Sequence, residues 1–164
     1  MASPELFRDA MANWAGSVTL IAARDEGAVI CTTATSFIPV AADPPSVLVA
    51  LSPNAQVLPF AEEGSPLGVT VLSQEQAHWA SVFADPFPVG SPEWSGSHAP
   101  VIAGASVGLE CTARKSFKAD ASKLVVCRVE IIHAGSDEPL LYHRRRYAGL
   151  ADDDRSRRRG WKKR

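Results

Sequence analysis

Thr33-Ala34-Thr35-Ser36-Phe37 places three hydroxyls and an aromatic ring within five consecutive residues. Hydroxyls donate and accept hydrogen bonds and a ring offers apolar surface, so the run suits a ligand with one polar and one apolar edge. An ordinary polar strand end fits the same residues. Ser52, Asn54 and Gln56 form a second polar set. Asn54 is equally suited to capping a helix, whose N-terminus would itself attract phosphate. Nucleophilic and metal chemistry have less support. Cys31, Cys111 and Cys127 form no CxxC and lie in apolar or β-branched stretches, which reads as core packing. His78, His98, His133 and His143 show no HExxH and no i, i+4 pair, and no GxSxG is present. The sequence therefore assigns no catalytic side chain and no metal ligand.

A mainly β framework has to position these residues. Ser3-Pro4 is an N-cap followed by proline at the first helical position, and Leu6, Phe7, Ala10, Met11 and Trp14 share one face of a helix expected over residues 4 to 14. Strands are expected over 18 to 23 and from 28 to about 37, joined by the hairpin signal Arg24-Asp25-Glu26-Gly27. Asp43-Pro44-Pro45 interrupts the pattern, and a strand follows over 46 to 52. Residues 54 to 63 read as a short helix ended by Gly64, and 67 to 72 as a strand. Ser73-Gln74-Glu75-Gln76 is a capping box for a helix carrying Ala77, Ala80, Val82 and Phe83. Residues 85 to 104 read as a long loop. Val107, Leu109, Cys111 and Ala113 alternate with Gly108, Glu110, Thr112 and Arg114, the mark of a strand with one buried face. A strand over 124 to 132 and a short one from 140 to about 144 complete the plan. Many strands and only short helices point to a closed or nearly closed antiparallel barrel. No GxGxxG follows the first strand, which disfavours a doubly wound sheet.

The 164 residues fit one domain, with 46% apolar and 21% charged content typical of a globular chain. No apolar run approaches the roughly 20 residues of a spanning helix. No basic stretch followed by an apolar run opens the chain, so it reads as cytosolic. The formal net charge of −1 conceals an asymmetry. Residues 151 to 164 hold seven basic and three acidic residues; the rest of the chain holds ten and fifteen. We therefore expect a folded domain over 1 to 150 and a basic, disordered tail over 151 to 164. The tail's functional reading is contact with nucleic acid or an acidic partner; an acidic body and the lack of interleaved basic and aromatic residues place that last.

Thr33-Ala34-Thr35-Ser36-Phe37 followed by Asp43-Pro44-Pro45 resembles the T-A-S-S-F…D-P-P signature of the flavin reductase-like family, the small reductase components of two-component monooxygenases. Val69-Thr70-Val71-Leu72-Ser73, Phe83-Ala84, Leu109-Glu110-Cys111 and Pro139-Leu140-Leu141-Tyr142 with Tyr147 match further landmarks in the same order. The resemblance implies an FMN-binding split β-barrel, a homodimer with flavin at the subunit interface, and reduction of FMN or FAD by NADH or NADPH. It also implies flavin contacts from Thr33, Ala34, Thr35, Ser36 and Phe37 around the ring and from Ser52, Asn54 and Gln56 at the ribityl and phosphate groups. Thr70, Phe83 and Tyr147 are carried over from the remaining landmarks. Pro53 stands where a basic residue is frequent, Cys31 where a glycine is usual, and Asp120-Ala121-Ser122 where relatives have G-D-H, so the family's histidine is serine here. The first expectation is an NAD(P)H:flavin oxidoreductase that supplies reduced flavin to a partner monooxygenase. The alternative is a flavin- or haem-binding split barrel without NAD(P)H turnover.

Overall fold

The computed structural model describes residues 2–151. Ser3 Oγ accepts the Leu6 N–H (3.2 Å) and starts α1, Pro4–Met11, which ends a turn earlier than its apolar spacing predicts and buries none of its residues. A short β1, Gly16–Ser17, precedes the hairpin of β2, Thr19–Asp25, and β3, Ala28–Ala34. Its two-residue turn holds Glu26 and Gly27 at φ 45° and 91°, the left-handed pair that matches strand twist.

The expected strand from 28 to 37 is in fact two. The chain leaves β3 at Thr35 and re-enters the sheet as β4, Phe37–Ala42, which pairs with β5, Pro45–Leu51. Ser36 causes the switch: its hydroxyl donates to the Ala50 carbonyl (2.7 Å) and its own carbonyl accepts the Ala50 N–H (3.1 Å). The helix expected over 54 to 63 is also absent. Only the 3₁₀ turn Leu58–Phe60 forms, because Pro59 lacks an N–H and no side chain caps the turn. Then come β6, Pro66–Val71, and α2, Ala77–Val82, entered through a 3₁₀ turn at Gln74–Gln76 where Gln76 Oε1 accepts the Ser73 N–H (3.1 Å).

The expected loop from 85 to 104 contains a small two-stranded sheet, β7, Trp94–Ser95, with β8, Val101–Ile102, and it buries Ala99, Pro100 and Val101. Its prolines and glycines turn the chain; they do not free it from the body. Two long strands follow, β9, Val107–Ala119, and β10, Ser122–Ala134, and the chain closes with the hairpin β11, Leu141–His143, and β12, Arg146–Ala148.

Seven antiparallel strands form the main sheet in the order β3-β2-β6-β9-β10-β5-β4. Laid flat, its edge strands would stand roughly 29 Å apart. Ala34 of β3 and Phe37 of β4 are three residues apart and can be separated by at most about 11 Å. The sheet must therefore roll up until its edges meet. Ile21, Val49, Leu67, Cys111 and Val125 fill the inside of the roll. Outside it, α2 and the 85–104 segment cover the other face of β2 through Leu20, Ala22, Ala80, Phe83 and Ile102. All three cysteines are buried, and burial pushes the Cys31 and Cys127 thiols up to about 12, which leaves them protonated and unreactive. No described helix is long and apolar enough to cross a membrane.

Candidate functional site

The switch from β3 to β4 creates a surface groove with two chambers of opposite character. The polar chamber, about 150 Å³, is walled by Thr32, Thr33, Ser36 and Ser52 together with Ala50 and Ala55. The aromatic chamber, about 250 Å³, is walled by Val18, Thr35, Ala84, Tyr142 and Tyr147. Thr33 and Ala34 belong to both, so the chambers adjoin at the end of β3.

Each wall has a local cause. Thr19 Oγ1 donates to the Ala34 carbonyl (2.7 Å) and pins the end of β3. Ser36 is fixed by its two bonds to Ala50, and its oxygen lone pairs remain for a ligand. Tyr142 and Tyr147 face each other across the β11–β12 hairpin with ring centroids 5.6 Å apart and planes at 56°. The hairpin is held by β1 pairing with β11 and by the Val18 N–H bond to the Leu140 carbonyl (2.9 Å).

Six of the expected contact residues meet in the groove: Thr33, Ala34, Thr35, Ser36, Ser52 and Tyr147. The other five do not line it. Phe37 pairs with Val49 and packs against the inner core, because the β4 register turns it inward. Thr70 is fully buried, and its hydroxyl accepts the Ile102 N–H (3.1 Å). Phe83 stacks on Trp79 in the outer core (5.9 Å), and its neighbour Ala84 reaches the aromatic chamber instead. Asn54 is exposed beside the polar chamber and caps no helix, while Gln56 donates to the Pro86 carbonyl (2.7 Å) and ties the 85–90 segment down. Ser122 lies in a separate hollow with Glu62, Phe117, Lys118 and Lys123, the last in an ion pair with Glu62 (2.7 Å).

The sequence reading missed Val18, Ala84 and Tyr142. Tyr142 was within reach: with Tyr147 it brackets a two-residue turn, which sets them opposite each other. It also missed a buried ionisable cluster. Glu110 is 1% exposed on the expected polar face of β9, covered by residues 96–100. Its carboxylate accepts the backbone N–H groups of His98 and Ala99 and lies 2.6 Å from His133 Nε2. Burial alone would push this carboxyl up; the bonds from His133, Ala99 and His98 outweigh it and hold the group below its ordinary value.

The two chambers fit a flavin mononucleotide. Its ribityl chain and phosphate need many hydrogen-bond partners, which the hydroxyls and the backbone of the polar chamber provide. Its planar ring needs flat apolar walls, which Val18, Ala84 and the tyrosine pair provide.

Residues 11–151 match the flavin reductase like domain family. The chain belongs to that family. It is 30% identical over 159 residues to FMN reductase (NADH) RutF 2 of Methylorubrum extorquens, covering 93% of this chain and 92% of the relative. It is 31% identical over 147 residues to the reductase component of the Thermus thermophilus 4-hydroxyphenylacetate 3-monooxygenase, covering 89% and 96%. The solved structure of flavin reductase PheA2 superposes with a TM-score of 0.85 at 29% identity, covering 92% of this chain and all of that one. The antiparallel roll is thus this family's fold.

Proposed function

We propose that this chain is a flavin reductase that takes electrons from NADH or NADPH, reduces FMN or FAD, and hands reduced flavin to a flavin-dependent monooxygenase. The observation that carries this reading is the groove, a hydroxyl-lined chamber adjoining one walled by paired tyrosines, with Thr33 and Ala34 shared between them. Family membership, with relatives named as an NADH-dependent FMN reductase and as a monooxygenase reductase component, supports the choice of reaction.

A flavin held in the groove would supply two-electron chemistry, with the dihydronicotinamide giving up a hydride and leaving oxidised. The protein's part is alignment, which needs no acid or base. Thr33, Ser36 and Ser52 hold the ribityl and phosphate groups, with exposed Asn54 beside them. Thr35, Tyr142 and Tyr147 line the chamber that would take the ring. Ser122 lies in its own hollow, outside this groove, so serine at that position is compatible with reduction.

We further read the roll as a split barrel that works as a cytoplasmic homodimer. Across its outer face Ile38 pairs with Leu48 and Leu48 with Val126, while Ala50 pairs with Leu124 and Leu124 with Phe117. Ile38 and Phe117 are 55% and 52% exposed, and an apolar band crossing four strands suits a second copy. We place the domain's end near residue 150; of the basic tail expected over 151 to 164, residues 152 to 164 lie outside the described residues. Titration with FMN tests the first step: flavin fluorescence should be quenched at micromolar protein or below, and unquenched FMN and FAD would reject the reading.

A further inference from the structure

Another hollow, of about 280 Å³, lies toward the far end of β2, lined by Arg24, Ser65 and His98 and by the apolar surfaces of Phe60, Pro66 and Pro100. Thr19, which pins the groove, opens β2, and Arg24 stands five residues further along it, roughly 16 Å away. No residue lines both this hollow and the groove.

Each of its polar groups stands on a fixed backbone and has a donor to spare. Arg24 Nη2 donates to the Gly96 carbonyl (3.0 Å), which orients the guanidinium, and the side chain forms no ion pair among the described residues. Its Nε and Nη1 therefore remain for a ligand. Ser65 is held by the Ala113 N–H, which donates to its carbonyl (2.9 Å), and its hydroxyl has no partner among the described residues. His98 is held at its backbone N–H by Glu110 and at ring Nε2 by Thr112 Oγ1 (2.9 Å). When Thr112 donates there, the ring proton sits on Nδ1 and becomes a third donor. The apolar wall is equally fixed, since Phe60 packs on the inner core and the Pro100 carbonyl rests against Gly68.

The character of the hollow runs against that of the domain. Residues 1 to 150 hold ten basic and fifteen acidic residues, yet no carboxylate lines this space. Convergent donors select an anion, and a guanidinium fork fits one with two coplanar oxygens. The phenyl ring and prolines beside them select an apolar body. Clefts for drug-sized ligands begin near roughly 300 Å³, so the ligand is small.

We infer that this hollow binds a small aromatic carboxylate, its carboxylate on Arg24, Ser65 and His98 and its ring against Phe60, Pro66 and Pro100. An inorganic anion would leave the apolar wall unused, and a neutral ring would leave the guanidinium unused. The site is separate from the groove and does not depend on the reductase reading.

Benzoate is the probe, titrated into the isotope-labelled full chain with and without saturating FMN while the amide resonances are followed. Shifts should saturate with a Kd of about 1 mM or tighter, cluster at residues 24, 59 to 66 and 96 to 100, and be the same in both titrations. Arg24→Gln should weaken benzoate binding roughly tenfold, with FMN affinity and melting temperature unchanged, which reports an intact fold. Ser65→Ala, which leaves the bond to Gly96 in place, should weaken it about threefold. Acetate lacks the ring and benzamide lacks the charge, and each should bind about tenfold more weakly than benzoate. Shifts centred on Tyr142 and Tyr147 and abolished by FMN would put benzoate in the groove and overturn the inference. Absence of saturation, equal binding of acetate or benzamide, or unchanged benzoate affinity in both variants would overturn it as well.

Discussion

Of the two residues that the polar and aromatic chambers share, Thr33 and Ala34, only Thr33 carries a hydroxyl, which therefore reports on the site with least ambiguity. Thr33→Val keeps the shape and the β-branch. It should weaken FMN binding about fivefold, the worth of one hydrogen bond of roughly 1 kcal/mol, measurable by fluorescence quenching. Glu110 makes a different prediction, about stability. Its folded carboxyl titrates below the ordinary value because the bonds it accepts outweigh its burial. A depressed carboxylate contributes fully above its unfolded value and loses that contribution as pH falls through the folded one. Urea unfolding of the wild type should therefore show stability declining as pH drops below the ordinary carboxylate range. Glu110→Gln should be less stable at neutral pH by about 1–3 kcal/mol and show a shallower decline. The two residues were unequally legible in the sequence. Thr33 was readable because a hydroxyl run beside a strand end is local information. Glu110 was not, since alternation assigned it to solvent and only the distant 96–100 segment buries it.

Among the elements, hairpins and caps were legible where their chemistry is local, as at Glu26-Gly27 and Ser3-Pro4. The helix expected over 54 to 63 fails locally, at Pro59, whereas two other misplaced elements turn on distant partners. The break after Ala34 depends on Ser36 meeting Ala50, and the inward face of Phe37 follows from that register, which is why an aromatic expected at the ring sits in the core. The 85–104 segment looked free because turn residues dominate it, yet it packs its backbone onto β6. A Cβ placed on Gly68 would stand 1.7 Å from the Pro100 carbonyl oxygen. Gly68→Ala should accordingly cost at least the 1–3 kcal/mol typical of overpacking, since backbone rather than a side-chain end must move. Chemical denaturation reads this directly, and an unchanged midpoint would mean that the segment is not packed there.

At the scale of the whole molecule, rolling the sheet joins its edges, brings β3 beside β5, and thereby places Thr33 and Ser52 in one chamber although 19 positions separate them in sequence. The same roll leaves the apolar band of Ile38 and Phe117 outside. Ile38→Asp with Phe117→Asp should shift the solution mass from dimer toward monomer in sedimentation, and a wild-type monomer at working concentration would refute the band's assignment. Deleting residues 151 to 164 should leave flavin reduction nearly unchanged, since among the described residues none beyond Tyr147 lines the groove. Whether the groove aligns a dihydronicotinamide with a flavin is read by anaerobic spectroscopy of the FMN-loaded protein. Adding NADH or NADPH should bleach the flavin's visible absorbance, and Tyr147→Ala should slow the bleaching severalfold. Yellow colour that persists under excess of both nucleotides, with FMN demonstrably bound, would rule out hydride transfer in the groove and leave a flavin-binding protein without turnover.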